Sequence, residues 1–132
     1  MIMKKATLFF FFPLFFVINI ASATVDCANL KLKINAENKS FYQGLVQKIL
    51  TEKVSTNQID VSEVLANKEW LAIFASTKTS EPGVFFFKNK EFIDVWGGLV
   101  EQDEKPDVLK WTQGIHAPGM LTQCFFEEIV IQ

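Results

Sequence analysis

Between residues 69 and 98 the chain has too few polar positions for a sheet with one face in water. "EWLAIFAST" at 69–77 sets Trp70, Ala72 and Phe74 on one side of an extended strand and Leu71, Ile73 and Ala75 on the other. Both sides are therefore apolar. "GVFFFKNKEFIDVWGG" at 83–98 repeats the pattern across a predicted hairpin. A two-residue turn at Asn89-Lys90 pairs Lys88 with Glu91, Phe87 with Phe92, Phe86 with Ile93 and Val84 with Val95, matching charge to charge and apolar to apolar. In that register Phe85, Phe87, Phe92, Asp94 and Trp96 share one face, and Val84, Phe86, Ile93 and Val95 share the other. Gly97-Gly98 then frees the backbone to turn away. A half-solvated antiparallel sheet alternates apolar with polar residues. Two apolar faces imply either helices on both, or one covered face and one aromatic face kept for a partner.

The helical periodicities lie on either side of this block. Ser40 as N-cap with Gln43 three residues on predicts a helix over 40–53, with Tyr42, Leu45, Val46, Ile49 and Leu50 as its apolar stripe. A second, shorter helix is predicted from Asp60, with Glu63 in its first turn and Val61, Val64 and Leu65 buried. Acidic residues at 101–104 ahead of Pro106 predict a helix running to about Gln113 and stopping at Gly114. Pro118 opens another through Leu121, Cys124 and Phe125. "LKLKI" at 30–34 has the period of an edge strand with Lys31 and Lys33 outward, although a helical reading through Cys27, Leu30 and Ile34 stays open. The tail at 128–132 fits either state. The fold class is α+β: a small antiparallel sheet of three to four strands, with a hairpin over 84–96, packed with about four short helices and closed by one disulfide.

The first 23 residues stand apart. Lys4 and Lys5 precede an apolar run from Leu8 to Ile20, and Ala21-Ser22-Ala23 supplies the small residues of a signal-peptidase site. The run is shorter than the roughly 20 residues a membrane span needs, and Pro13 and Asn19 break it. Residues 1–23 are read as a cleaved signal peptide and residues 24–132 as one domain, without a membrane span after cleavage. Cys27 follows Thr24-Val25-Asp26, which is not a lipidation context. In an exported chain with two cysteines, Cys27 and Cys124 are expected to pair as a structural disulfide. Their spacing is far from that of a redox C-x-x-C pair.

Removing the leader leaves eleven lysines against 15 acidic residues, a net charge of −4, and no arginine anywhere. Such a chain has no electrostatic footprint for nucleic acid. It also lacks the residue best suited to bidentate anion recognition.

Chemical motifs are sparse. The single histidine, His116, sits in the loop sequence "GIHAPG" and reads as solvated. A zinc site would lack its usual ligands. Glu101, Asp103, Glu104 and Asp107 lack the spacing of a calcium loop and read as a solvated helix start. Gly97-Gly98 is not a phosphate-binding fingerprint. No cofactor or metal is expected. Asp94 is the one acidic residue on the predicted aromatic face, and its plainer role is to hydrogen-bond a neighbouring turn or edge. Among Trp70, Trp96 and Trp111, Trp96 ends a strand beside two glycines, where an indole can reach a partner.

The expected function is therefore that of an exported, non-enzymatic protein-binding module of the bacterial envelope, periplasmic or secreted, of inhibitor or immunity-protein type. Its expected binding residues are Phe85, Phe87, Phe92, Asp94 and Trp96. Its expected partner is another protein, with a homodimer through the hairpin face as a further possibility. The alternatives are a small-ligand carrier or sensor with a pocket between sheet and helices, and a small hydrolase using Asp94, a glutamate or His116.

Overall fold

Helices cover both apolar faces of the sheet. A computed structural model describes residues 26–131; the expected signal peptide and its cleavage point lie outside them. Four strands, β1 (Ile59–Asn67), β2 (Trp70–Thr77), β3 (Gly83–Lys88) and β4 (Glu91–Gly97), form an antiparallel meander in sequence order. Helix α1 (Ala36–Gln47) lies on one face, and α2 (Lys105–Gly114) and α3 (Gly119–Ile129) lie on the other. The described residues thus contain three α-helices, not about four.

The missing helix is β1. Its pairing with β2 slips between Val61 and Glu63, leaving Ser62 as the extra residue of a bulge. The bulge resets the two-residue alternation, so Val61 and Val64 both face α1 while Leu65 faces α3. An interrupted strand thereby imitates the three-and-four spacing of a helix.

Helix α1 begins earlier than Ser40. The Asn35 side chain accepts from the backbone N–H of Glu37 and Asn38 at 3.0 and 2.9 Å. Asn38 returns the contact, accepting from the Asn35 N–H at 2.8 Å. This reciprocal cap satisfies the first turn. Gln43 is then free to donate to the Ile59 carbonyl at 2.8 Å, tying α1 to β1. Tyr42, Leu45 and Val46 are the buried side of α1.

The "LKLKI" segment makes a single antiparallel bridge, Lys31 to Leu65, and is not a full strand. Leu32 N–H donates to Val64 O at 2.9 Å and Ala66 N–H to Leu30 O at 2.7 Å, which seals the outer edge of β1. After α3, Val100 and Val130 form a short parallel bridge, with Val100 N–H on Ile129 O at 2.9 Å and Ile131 N–H on Val100 O at 2.8 Å.

The hairpin turn lies where its sequence places it. Asn89 and Lys90 both have positive φ, 53° and 68°, as the twist-matched two-residue turn requires. Lys88 pairs with Glu91 and Phe87 with Phe92 as expected. Beyond them the register differs: Phe86 pairs with Asp94, Phe85 with Val95 and Val84 with Trp96, because β4 bulges at Ile93. The extra residue transfers Asp94 and Trp96 to the face of Val84 and Phe86. Phe85, Phe87 and Phe92 stay on the α1 face.

Phe86 is fully buried against the edges of two rings, Trp111 of α2 with centroids 5.2 Å apart and Phe125 of α3 at 5.0 Å. Trp96 adds a T-shaped contact to Trp111 at 5.3 Å. Edge-to-face geometry of this kind adds about 0.5–1.5 kcal/mol per pair beyond area burial. The aromatic hairpin is, on this face, core.

Cys27, in a 3₁₀ turn (Cys27–Asn29), is disulfide-bonded to Cys124 of α3, with Cα atoms 5.4 Å apart and a separation of 97 in sequence. A loop of that length corresponds to about 4–5 kcal/mol in the chain-entropy account. Replacing both cysteines with alanine is expected to lower unfolding stability by up to about 4–5 kcal/mol, measured by urea unfolding beside the oxidised parent. A loss below about 1 kcal/mol would show that the packing of 27–32 on β1 holds without the covalent tie.

Candidate functional site

The five expected binding residues are not brought together on one face. Phe85 and Phe87 are buried with α1, and Phe92 is half-buried beside them, its ring 6.4 and 5.8 Å from theirs. Trp96 is half-buried on the opposite face within the aromatic cluster. Its Nε1–H is buried without a hydrogen-bond acceptor among the described residues. Asp94 shares that face but turns its carboxylate back on the chain, accepting from the Val95 N–H at 2.8 Å. His116 is exposed in the α2–α3 loop, with φ of 63°. Among the described residues no group of three or more His, Cys, Asp or Glu side chains is placed to hold a metal, and no helix is long and apolar enough to cross a membrane.

Three other features of the surface do concentrate chemistry. The first is the outer edge of β4. No described strand pairs with it. Gly98 N–H donates to Pro82 O at 3.2 Å, so the alternation of the ladder points the backbone groups of Trp96 toward β3 and those of Val95 outward. Along this edge Ile93, Val95 and Leu99 are 38%, 39% and 66% exposed. Geometry explains the exposure. Four strands about 4.8 Å apart put β1 and β4 roughly 14 Å apart, whereas one helix with its side chains is about 10–12 Å wide. Helix α1 packs on β1 and β2, so the α1 side of β4 stays open.

The second feature is a cavity of about 320 Å³ at the end of the sheet where β1 and β3 begin and β2 ends. Buried Val84 and Ile129 and half-buried Phe74 form its inner wall, and exposed Asp60, Leu99 and Glu128 its rim. No basic residue lines it. The last turn of α3 carries Glu127 and Glu128 and no basic residue, so two carboxylates sit at the negative end of the helix dipole.

The third feature is a charge cluster on the same side. Lys31 Nζ lies 3.6 Å from Glu63 Oε1 and 3.2 Å from Glu128 Oε1, joining the 30–32 segment, β1 and α3. One ammonium thus serves two carboxyl groups. Burial holds the Glu63 carboxyl above the usual carboxylate range, and the charge and hydrogen bonding of Glu128 push the same way against the pull of Lys31. Glu63 Oε2 is buried and receives no donor. The Lys31 ammonium is held above its usual value, first by its hydrogen bond to Glu128 and then by the charges of Glu63 and Glu128. These positions, 31, 63 and 128, show no common pattern in sequence. Only the bulge at Ser62, which turns Glu63 to the α3 side, brings them together.

No protein-family model, curated protein or solved structure matches the chain.

The charge cluster has a pH signature. A carboxyl group whose affinity for protons is higher in the folded state loses stability as pH rises from its unfolded value near 4.5 through its folded value. Glu63→Gln should therefore match the parent near pH 4 and gain on it between pH 5 and 8. The gain is expected to stay within about 1 kcal/mol, because solvent reaches the group and screens it; the Glu63 side chain is 23% exposed. Urea midpoints across that range measure it. A variant that loses ground with rising pH would mean that the ion pair with Lys31 outweighs the burial.

Proposed function

We propose that the protein is an exported protein-binding module of the bacterial envelope, of inhibitor or immunity type, which engages its partner through the β4 edge. The observation that carries this reading is exposed Ile93 and Val95 beside an unpaired edge, the margin that α1 leaves uncovered, with exposed Leu99 just past the end of β4. Apolar residues clustered on an edge strand are a liability unless something covers them. Export is supported by the leader-like residues 1–23 and fits the disulfide.

The edge is built for side-chain docking more than for strand addition. The bulge at Ile93 twists it, and the Asp94 carboxylate occupies the outward Val95 N–H. A second copy laid antiparallel along the edge would bring two Asp94 carboxylates toward each other across the dyad, which disfavours self-association. The occupant is thus a different protein, presenting an apolar ridge to residues 93–99. Phe92 and Asp94 of the expected site belong to this margin; Phe85, Phe87 and Trp96 support it from within. The carrier reading draws on the 320 Å³ cavity. The hydrolase reading draws on no specific arrangement of side chains.

Affinity capture with the oxidised protein lacking residues 1–23 tests the proposal, using envelope and secreted extracts. Three baits serve: parent, Ile93→Ser/Val95→Asp, and Leu32→Ser, which alters an exposed apolar residue away from β4. Trp96 is unsuitable as a probe because its ring is part of the core cluster. The expected result is one protein retained stoichiometrically by parent and Leu32→Ser, and at least tenfold less by the β4 variant at unchanged thermal stability. Equal retention by all three baits, or a parent dimer in sedimentation that Val95→Asp dissolves, would overturn the assignment of a foreign protein to this edge.

A further inference from the structure

The cavity at the end of the sheet has features the β4 reading does not use. We propose that it is a binding site for a small organic cation: an ammonium group on a short aromatic or alkyl stem. The cavity meets the β4 surface only at Gly98 and Leu99.

Size sets the first limit. About 320 Å³ is at the lower end of the range for ligand sites, about 300–1,000 Å³. A single ring or a short chain fits, and a nucleotide or an oligosaccharide does not. The inner wall of Phe74, Val84 and Ile129 offers such a stem carbon surface, with no charged group beneath it. The apolar lining sets the second limit, since a fully hydrated ion would gain nothing from it.

Charge sets the third. The rim carries Asp60 from β1 and Glu128 from α3 and no lysine or histidine. The negative end of the α3 dipole adds to them without a basic residue in the last turn to offset it. Lys31 reaches Glu128 from outside the cavity but divides its charge with Glu63. The charged residues that line the cavity are therefore both acidic, beside an apolar wall, while Lys39 and Lys78 line the neighbouring cavity that Asp60 also borders. An amine on an apolar stem complements both halves, whereas an anion would meet repulsion and a neutral analogue would satisfy the wall alone. Ser62 and Ser76, which also line the cavity, supply further oxygens for ammonium N–H donors.

Three probes with closely similar stems separate these contributions: 2-phenylethylammonium, 2-phenylethanol and phenylacetate. Each is titrated into the oxidised protein by calorimetry, with backbone amide shifts locating the site. The expected result is saturable binding of the ammonium, at least tenfold tighter than the alcohol, with phenylacetate weaker still. Shifts should centre on residues 60–62, 74–76, 83–84, 98–99 and 128–129. Asp60→Asn, which leaves the Lys31 cluster intact, and Glu128→Gln should each weaken the ammonium about fivefold to tenfold while leaving the alcohol unchanged. Equal affinity for ammonium and alcohol, shifts centred elsewhere, or no saturable binding of the ammonium would each overturn the proposal.

Discussion

The Phe86 ring is the contact on which the layered arrangement depends. It stands at the middle of β3, and two helices meet it edge-on through Trp111 and Phe125. Helices α2 and α3 have ten and eleven residues, about 15–17 Å of axis each at 1.5 Å per residue. Helices this short cover a four-stranded sheet only if each contributes large side chains at the crossing. Aromatic residues bury about 150–250 Å² apiece, so Phe86, Trp96, Trp111 and Phe125 do with four rings what aliphatic packing would need longer helices to do. The density of aromatic residues in the hairpin is thus first a consequence of small size.

The opposite face obeys the same arithmetic with one helix. There Phe85 and Phe87 are buried with α1, but cover runs out at β4, where Ile93 and Val95 keep over a third of their surface. The two margins of the sheet are treated differently. Residues 30–32 hydrogen-bond along β1, and the disulfide from Cys27 to Cys124 anchors that strap to α3. Among the described residues, β4 is protected by a bulge and by the Asp94 carboxylate on the Val95 N–H. Such devices discourage strand pairing while leaving side chains free to make contacts.

Much of this arrangement is legible in the sequence where local chemistry decides it. The Asn89-Lys90 turn, β2, the helices entered through Pro106 and Pro118, and the pairing of the two cysteines all follow from residue types and spacing. Two of the departures share one physical cause. A bulge inserts one residue without leaving a mark in composition, yet it exchanges the two faces of everything beyond it. Ser62 makes β1 resemble a helix, and Ile93 moves Trp96 and Asp94 from the face of Phe92 to that of Phe86. The early start of α1 has a different origin: Asn35 and Asn38 cap each other, which forestalls the equally plausible Ser40 cap. The candidate sites were less legible than the fold. Glu63, Glu128 and Asp60 matter through neighbours far away in sequence, and periodicity carries no information about such contacts.

The same bulge that hides β1 from a periodic reading also makes the acidic end of the molecule. Without the bulge at Ser62, unbroken alternation would set Glu63 on the α1 side of the sheet, among Val61, Ile73 and Ala75, where an ionised carboxyl would find no partner. With it, Glu63 meets Lys31, which also holds Glu128. That solution is electrostatically incomplete, because one lysine faces two carboxyl groups while Asp60 and the α3 terminus add further negative charge nearby. A basic residue in the last turn of α3 would favour the helix by about 0.3–1 kcal/mol. Glu127 and Glu128 stand there instead, beside an apolar cavity of ligand size. The fold tolerates that imbalance because Lys31 and solvent reach the carboxylates, and the rim of the cavity is left acidic.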